Sequence, residues 1–357
     1  MPSDILTKIP FYHIIKKSSK LPLDVQIVFL SRLGTLLEKG YTLVDGLELM
    51  KLDPKHGQIA HHIHFELIHG RSLEAIFKSL GFSSMVISFL YLSRSTGNLD
   101  FLLERCSHIL KQKKHYQDQF RKVMRYPLLL MFLLFLIIMF LHRHLLPSLQ
   151  HFYHSLKETE IDGTMKTIYL FTDWTIKCLY ILFFLMVLLF LFWIWGRNRL
   201  SVENQILIFS KIPFVNKLKR VEITYLFSFH LSLLLQNGST IKSALSIMKE
   251  QNHMPILSRY AEELQQILYE GKNIHAEIVN FQLFERELSY IFKRSLDRGN
   301  LEKDLYHYAH LLMGTMENSM MKYISLIQPS LFIFFGSLIV AIYFSIFYPL
   351  FHLIQSI

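Results

Sequence analysis

The stretch RYPLLLMFLLFLIIMFLHRHLLP, from Arg125 to Pro147, decides how the rest of the chain is read. Lys111, Lys113, Lys114, Arg121 and Lys122 stand upstream of it, and from Leu128 to Leu141 every side chain is apolar. A proline lacks an N–H and is tolerated in the first turn of a helix. The sequence therefore reads as a charged helix that gives way to an apolar one at Tyr126-Pro127, kinked or restarted there. About 20 helical residues cross the hydrocarbon core of a bilayer, and residues 127–146 meet that length.

Two further windows have the same character. Residues 176–195, IKCLYILFFLMVLLFLFWIW, carry one charge, Lys177, at an edge where it can snorkel, and Trp174, Trp193 and Trp195 stand at the two ends. Residues 329–350 make the third window. Basic residues crowd before the first window and after the second, where Arg197, Arg199, Lys211, Lys217, Lys219 and Arg220 lie. The connector between them has only Lys157 and Lys166 against Glu158, Glu160, Asp162 and Asp173. Loops rich in Lys and Arg stay in the cytoplasm, so the expected topology has a cytoplasmic N-terminus and an outer C-terminus. This accounts for the net charge of +10 in a chain of 357 residues, 51% of them apolar. The first twenty residues contain Pro2 and Pro10 and no apolar run of signal-peptide length, so they read as a short cytoplasmic lead. Cys106 and Cys178 give neither a disulfide framework nor zinc spacing.

The chain also repeats itself. FLSRLGTLLEKGYTLVDGLELM from Phe29 resembles LFSFHLSLLLQNGSTIKSALSIM from Leu226, and Gly40 matches Gly238. Gly70 matches Gly271, the tripeptide Gly97-Asn98-Leu99 recurs as Gly299-Asn300-Leu301, and Pro127 recurs as Pro329. Markers in one order at a nearly constant offset point to a duplicated module. Each copy reads as all-helical: Val25, Val28, Phe29, Leu33, Leu36 and Leu37 follow helical spacing, and Gly40 stands where a left-handed residue would end the helix. Ser72 suits an N-cap, and Asn98 opens a long helix with Asp100 and Glu104 in its first turns. The expected fold is an all-α membrane protein. Its order is a lead over 1–22, a helical domain over 23–126, a span at 127–146, an outer loop over 147–175 and a span at 176–195. A linker over 196–220, a second helical domain over 221–328, a third span at 329–350 and an outer tail over 351–357 follow. A long helix after Asn98 would carry the first cytoplasmic bundle directly on its span.

With these features the sequence resembles the GspF/PilC family of inner-membrane platform proteins of type II secretion and type IV pilus machines. The resemblance covers nearly the whole chain and includes Gly70-Arg71-Ser72-Leu73, Ser93 to Leu99, and the Tyr126-Pro127 dipeptide. Its look is nearest to the competence branch of Gram-positive bacteria. The resemblance implies a non-enzymatic platform on which a cytoplasmic hexameric traffic ATPase docks and beside which major and minor pilins pass into a filament, for uptake of transforming DNA. Homo-oligomers are implied too. A secretion or motility pilus is the alternative within the family, and a small transporter or channel subunit the alternative outside it. Some members are thought to bind a divalent cation through carboxylates, but Arg94 and Leu296 stand where the family has its acid, and a hard cation needs several oxygen ligands.

No catalytic motif competes. Gly271-Lys272-Asn273 lacks the spacing and the Ser/Thr of a phosphate loop, and no metalloprotease or hydrolase signature occurs. No catalytic, cofactor or metal residue is expected, and no direct nucleic-acid contact. His56, His61, His62, His64 and His69 read as polar-face histidines. In the third span Ser330, Gly336, Ser337, Ala341 and Ser345 form a face of small residues that lets helices approach closely, either the chain's own spans or a pilin helix.

Overall fold

The structure, a computed structural model, describes residues 21–140, 143, 144, 147, 148, 151, 177, 201–251 and 253–355. The first copy comprises α1 (Leu23–Glu38), α2 (Leu43–Met50), α3 (Gly57–Ile68), α4 (Leu73–Ser79), α5 (Ser84–Thr96) and α6 (Leu99–Phe140). After α7 (Val202–Lys211) come α8 (Pro213–Gln236), α9 (Ile241–Glu250), α10 (Pro255–Tyr269), α11 (Ile274–Glu277) with a 3-10 turn at Ile278–Asn280, α12 (Arg286–Arg298) and α13 (Leu301–Gln355). Among the described residues there is no strand, and the chain is all-helical.

From α8 onward the elements retrace α1 to α6. Thr42 caps α2 and Thr240 caps α9, each side chain accepting from the N–H three residues on, Asp45 and Ser243, at 3.2 Å. Such a cap satisfies one of the amides that a helix start leaves unbonded. Phe29 and Phe82, 6.0 Å apart in the first core, are replaced by Phe227 and Phe284, 4.9 Å apart in the second.

The chain divides into two compact units, one of residues 1–116 and 202–320, the other of 117–201 and 321–357. The short helices of both copies and the starts of α6 and α13 lie in the first. In α1 one face is buried, through Ile27, Leu30 and Leu33, and Arg32 remains exposed. In α8 every residue from Ile223 to Leu234 is buried. A helix apolar on all sides needs neighbours on all sides, and α8 has them: its own copy on one flank and α5 of the first copy on another.

The segment expected as a linker over 196–220 is helical from Val202. Phe209 buries itself from α7, with the Lys219 ammonium 5.5 Å from its ring centroid. Asn216 donates to the Ser210 carbonyl at 3.0 Å.

In the second unit Pro127 lies inside α6 and helix continues on both sides of it, so the restart that the sequence left open beside a kink does not occur. Pro329 likewise sits within α13. An interior proline removes one helical hydrogen bond; in both helices the elongated run outlasts that loss. Leu129, Phe132, Leu133, Ile333 and Val340 are exposed here, and the Tyr126 ring lies 5.8 Å from that of Phe332. Among the described residues no helix is long and apolar enough to cross a membrane. The expected second span, apart from Lys177, lies outside the described residues, as do 141, 142, 145 and 146 of the first.

Candidate functional site

The two copies meet where α5 packs on α8. The Phe89 ring stacks on Phe229 with centroids 5.4 Å apart and meets His230 edge-on at 4.9 Å. Phe101 and Tyr225 stack on other parts of Phe229, at 6.4 and 5.9 Å. Arg105 places its guanidinium 5.4 Å from the Phe229 centroid and donates to the Tyr225 hydroxyl at 3.3 Å. A cation over an aromatic face is attracted by the ring quadrupole, more strongly when water is excluded. Burial pushes the Tyr225 hydroxyl up to about 12, with Arg105 opposing that shift.

Hydrogen bonds frame the rings. Ser88 donates to Gln251, Tyr91 reaches Glu250 at 3.5 Å, and the Asn237 amide donates to the Thr96 carbonyl at 3.2 Å. Ser88 and Gln251 are both buried. Inside this frame the His230 side chain is fully buried, and neither ring nitrogen finds a hydrogen-bond partner among the described residues. Burial holds its pKa down at about 3, so the ring is neutral. The Ser228 hydroxyl is also without a partner. Activation of a serine by histidine needs the two within hydrogen-bond reach, and Ser228 and His230 make no such bond.

The glycine repeat markers fall at helix ends. Gly40, Gly70, Gly97, Gly238, Gly271 and Gly299 all have φ between 69° and 89°. Gly97 and Gly299 cap α5 and α12, their N–H groups bonding the carbonyls of Ser93 and Ser295 at 2.8 and 2.9 Å. Asn98 and Asn300 precede Leu99 and Leu301, the first residues of α6 and α13, and their carbonyls accept from Leu102 and Asp304. Ser72 is the N-cap residue of α4, without a side-chain cap bond. Ser330 and Ser337 are exposed and bond back to carbonyls of their own helix, Leu326 and Phe334, both at 2.8 Å. A Cβ at Gly336 would meet nothing within 4 Å. The side chains of Ala341 and Ser345 lie outside the described residues.

The histidines do not share one environment. His56 is buried, contrary to the polar-face expectation, with Nδ1 3.2 Å from Asp53 Oδ2. Its pKa is lowered by burial first and by Arg32 and Lys55 next. His61 is exposed, and His69 bonds the Phe65 carbonyl at 2.7 Å. Among the described residues no group of His, Cys, Asp and Glu is placed to hold a metal. Arg94, at the family's acidic position, pairs with Glu74 at 2.7 Å, and a guanidinium there does not fit a cation site. The Cys106 thiol is buried and pushed far up, which suppresses the reactive thiolate.

Sequence reasoning missed the junction. The offset that aligns Phe29 with Phe227 also sets Ser31 and Arg32 against Phe229 and His230, and Lys39 against Asn237. The loss of polarity at those positions was the available signal.

The comparisons with known proteins follow the same division of the chain. The family model for type II secretion system protein F matches residues 29–142 and again 227–349, once per copy. The chain is 27% identical over 319 residues to ComG operon protein 2 of Bacillus subtilis (strain 168), which covers 89% of this chain and 98% of the relative. It is 22% identical over 339 residues to the type IV pilus assembly protein PilC of Thermus thermophilus, covering 92% of this chain and 82% of the relative. With the E. coli protein transport protein HofC homolog it shares 22% over 375 residues. The double match takes in most of the sequence, and the chain belongs to the type II secretion system protein F family.

Proposed function

We propose that the chain is the non-enzymatic membrane platform of a type IV pilus-like machine, a competence pseudopilus that takes up transforming DNA. The observation that carries this reading is the family match in each copy, joined to relatives named for the ComG operon and for pilus assembly. In this reading a cytoplasmic traffic ATPase acts on residues 23–126 and 221–328, and pilins enter the filament beside spans at 127–146, 176–195 and 329–350. The exposed apolar side chains of α6 and α13 in the second unit support burial in lipid. Basic flanks support a cytoplasmic N-terminus and an outer C-terminus. Ser330, Gly336, Ser337 and Ala341 are the proposed contact face for a pilin helix.

The test is a deletion strain. Loss of both transformation and surface pilin, restored by the gene, supports the reading. Normal surface pilin in the deletion strain refutes it, and loss of surface pilin without loss of transformation moves it to a secretion or motility filament. Reporter fusions after residues 126, 160, 210 and 357 test the topology.

A further inference from the structure

The duplication makes two versions of one docking face, and only one of them is covered. The first copy holds the second through α5 and the start of α6: Phe89 and Phe101 stack on Phe229, Tyr91 reaches Glu250, and the Thr96 carbonyl accepts from Asn237. The offset that sets Gly97 against Gly299 places Ile291, Lys293, Arg298 and Lys303 at the four corresponding positions of the second copy. Ser88 and Leu92, both buried, correspond to Tyr290 and Arg294, both exposed. Lys293, Arg298 and Lys303 are exposed as well, and Tyr290 is 65% accessible. Among the described residues none of these four cations has an ion-pair partner, and no hydrogen bond or ring contact joins α12 to α1.

The partner that strict repetition would bring is α1 of a second copy. Its corresponding surface carries Ser31, Arg32 and Lys39, where α8 carries Phe229, His230 and Asn237. The Asn237–Thr96 contact would there become Lys39 against Arg298, and Arg32, already paired with Asp53, would meet Ile291; a like-charge meeting and a charge against an apolar side chain both disfavour that pairing. The substitutions that disfavour this one pairing leave exposed cations on the face, suited to the opposite charge. Arginine and tyrosine are the residue types that anchor protein interfaces, and the equivalent face of the first copy already receives a helix.

We propose that the α12 face, through Tyr290, Lys293, Arg294, Arg298 and Lys303, docks an acidic helical surface of another protein. The inference rests on the two copies alone and stands apart from the machine in which the chain works.

The experiment uses the full-length chain in its own membrane. Tyr290 is replaced by a photoreactive benzoylphenylalanine, and Tyr269, exposed elsewhere on the second copy, by the same group as control. Adducts are identified by mass spectrometry in the parent and in the K293E/R298E/K303E variant. The expected result is an adduct at 290 with a protein whose crosslinked segment is acidic, weaker by about tenfold or more in the variant. The adduct should return when acids of that segment are changed to lysine. Equal adducts at 290 and 269, an adduct with lipid or a second copy of this chain, no adduct, or no rescue by the charge swap would each overturn the proposal. Unchanged membrane level and melting temperature show that the variant, altered only at exposed positions, is folded. A variant that does not fold moves the test to the single R294E, read in the same way.

Discussion

At the scale of single residues, glycine serves this chain for two different reasons, and substitution separates them. Gly70 has φ +77° and open space where a Cβ would go, so its constraint is torsional. Gly57 has no positive φ, but a Cβ there would sit 2.4 Å from the Lys51 carbonyl oxygen, so its constraint is steric. Asparagine tolerates the left-handed region better than alanine. In thermal melts of the full chain in detergent, Gly70→Asn is therefore expected to be milder than Gly70→Ala, which costs about 1–2 kcal/mol. At Gly57 the order reverses: Ala costs about 1–3 kcal/mol and Asn more. Gly70 was legible in the sequence because it repeats and ends a periodic run. Gly57 was not, since the carbonyl it accommodates belongs to a turn whose path no local pattern encodes.

His230 sets a pH dependence whose direction is fixed by its depressed pKa. The unfolded chain binds a proton near pH 6.5, but the folded chain does so only near 3. Its contribution to stability is complete above 6.5 and declines as pH falls from there toward 3, by about 1.4 kcal/mol per pH unit for one proton. Lowering of the His56 pKa acts in the same direction. His230→Leu removes a buried group whose nitrogens lack partners, so at pH 7.5 its melting temperature should equal or exceed that of the parent. At pH 5 the variant should melt well above the parent. An equal loss between the two pH values in both proteins would show that His230 does not titrate on unfolding.

At the scale of elements, the helices were readable and their pairing was not. Apolar spacing, Gly40 and the run from Asn98 indicated α1 and α6, and the offset repeat carried the same reading to α8 and α13. Which helix of one copy meets which of the other depends on faces that become visible only once α8 is found buried all round. The Phe89–Phe229 stack is the centre of that meeting. Phe229→Ala is expected to cost about 3–5 kcal/mol, since it deletes a buried ring with several aromatic neighbours. In a double-mutant cycle, Phe89→Ala and Phe229→Ala should couple by about 0.5–1.5 kcal/mol. Additive losses would mean that the two rings are held by their own copies and not by each other.

At the scale of the whole molecule, the duplication and the all-helical character were open to sequence reading. Each is written as a long-range pattern of composition. The continuity of α6 was half legible. The sequence placed a proline at the change from charged to apolar and left a kink or a restart open; the helix runs from Leu99 to Phe140 with Pro127 in its interior. One lost hydrogen bond among the many of a long helix is a small fraction of its cohesion. An unbroken helix transmits rotation and axial displacement along its length, which a flexible segment would absorb. We therefore expect a short Gly-Ser insertion after Tyr126 to lower transformation to the level of the deletion strain, with the amount of protein in the membrane fraction unchanged. An alanine insertion of equal length keeps helix-forming residues and should retain more activity than Gly-Ser, because stiffness and not sequence is the property at stake. Full transformation with the Gly-Ser insertion would show that motion of α6 on one side of Tyr126 has no consequence on the other.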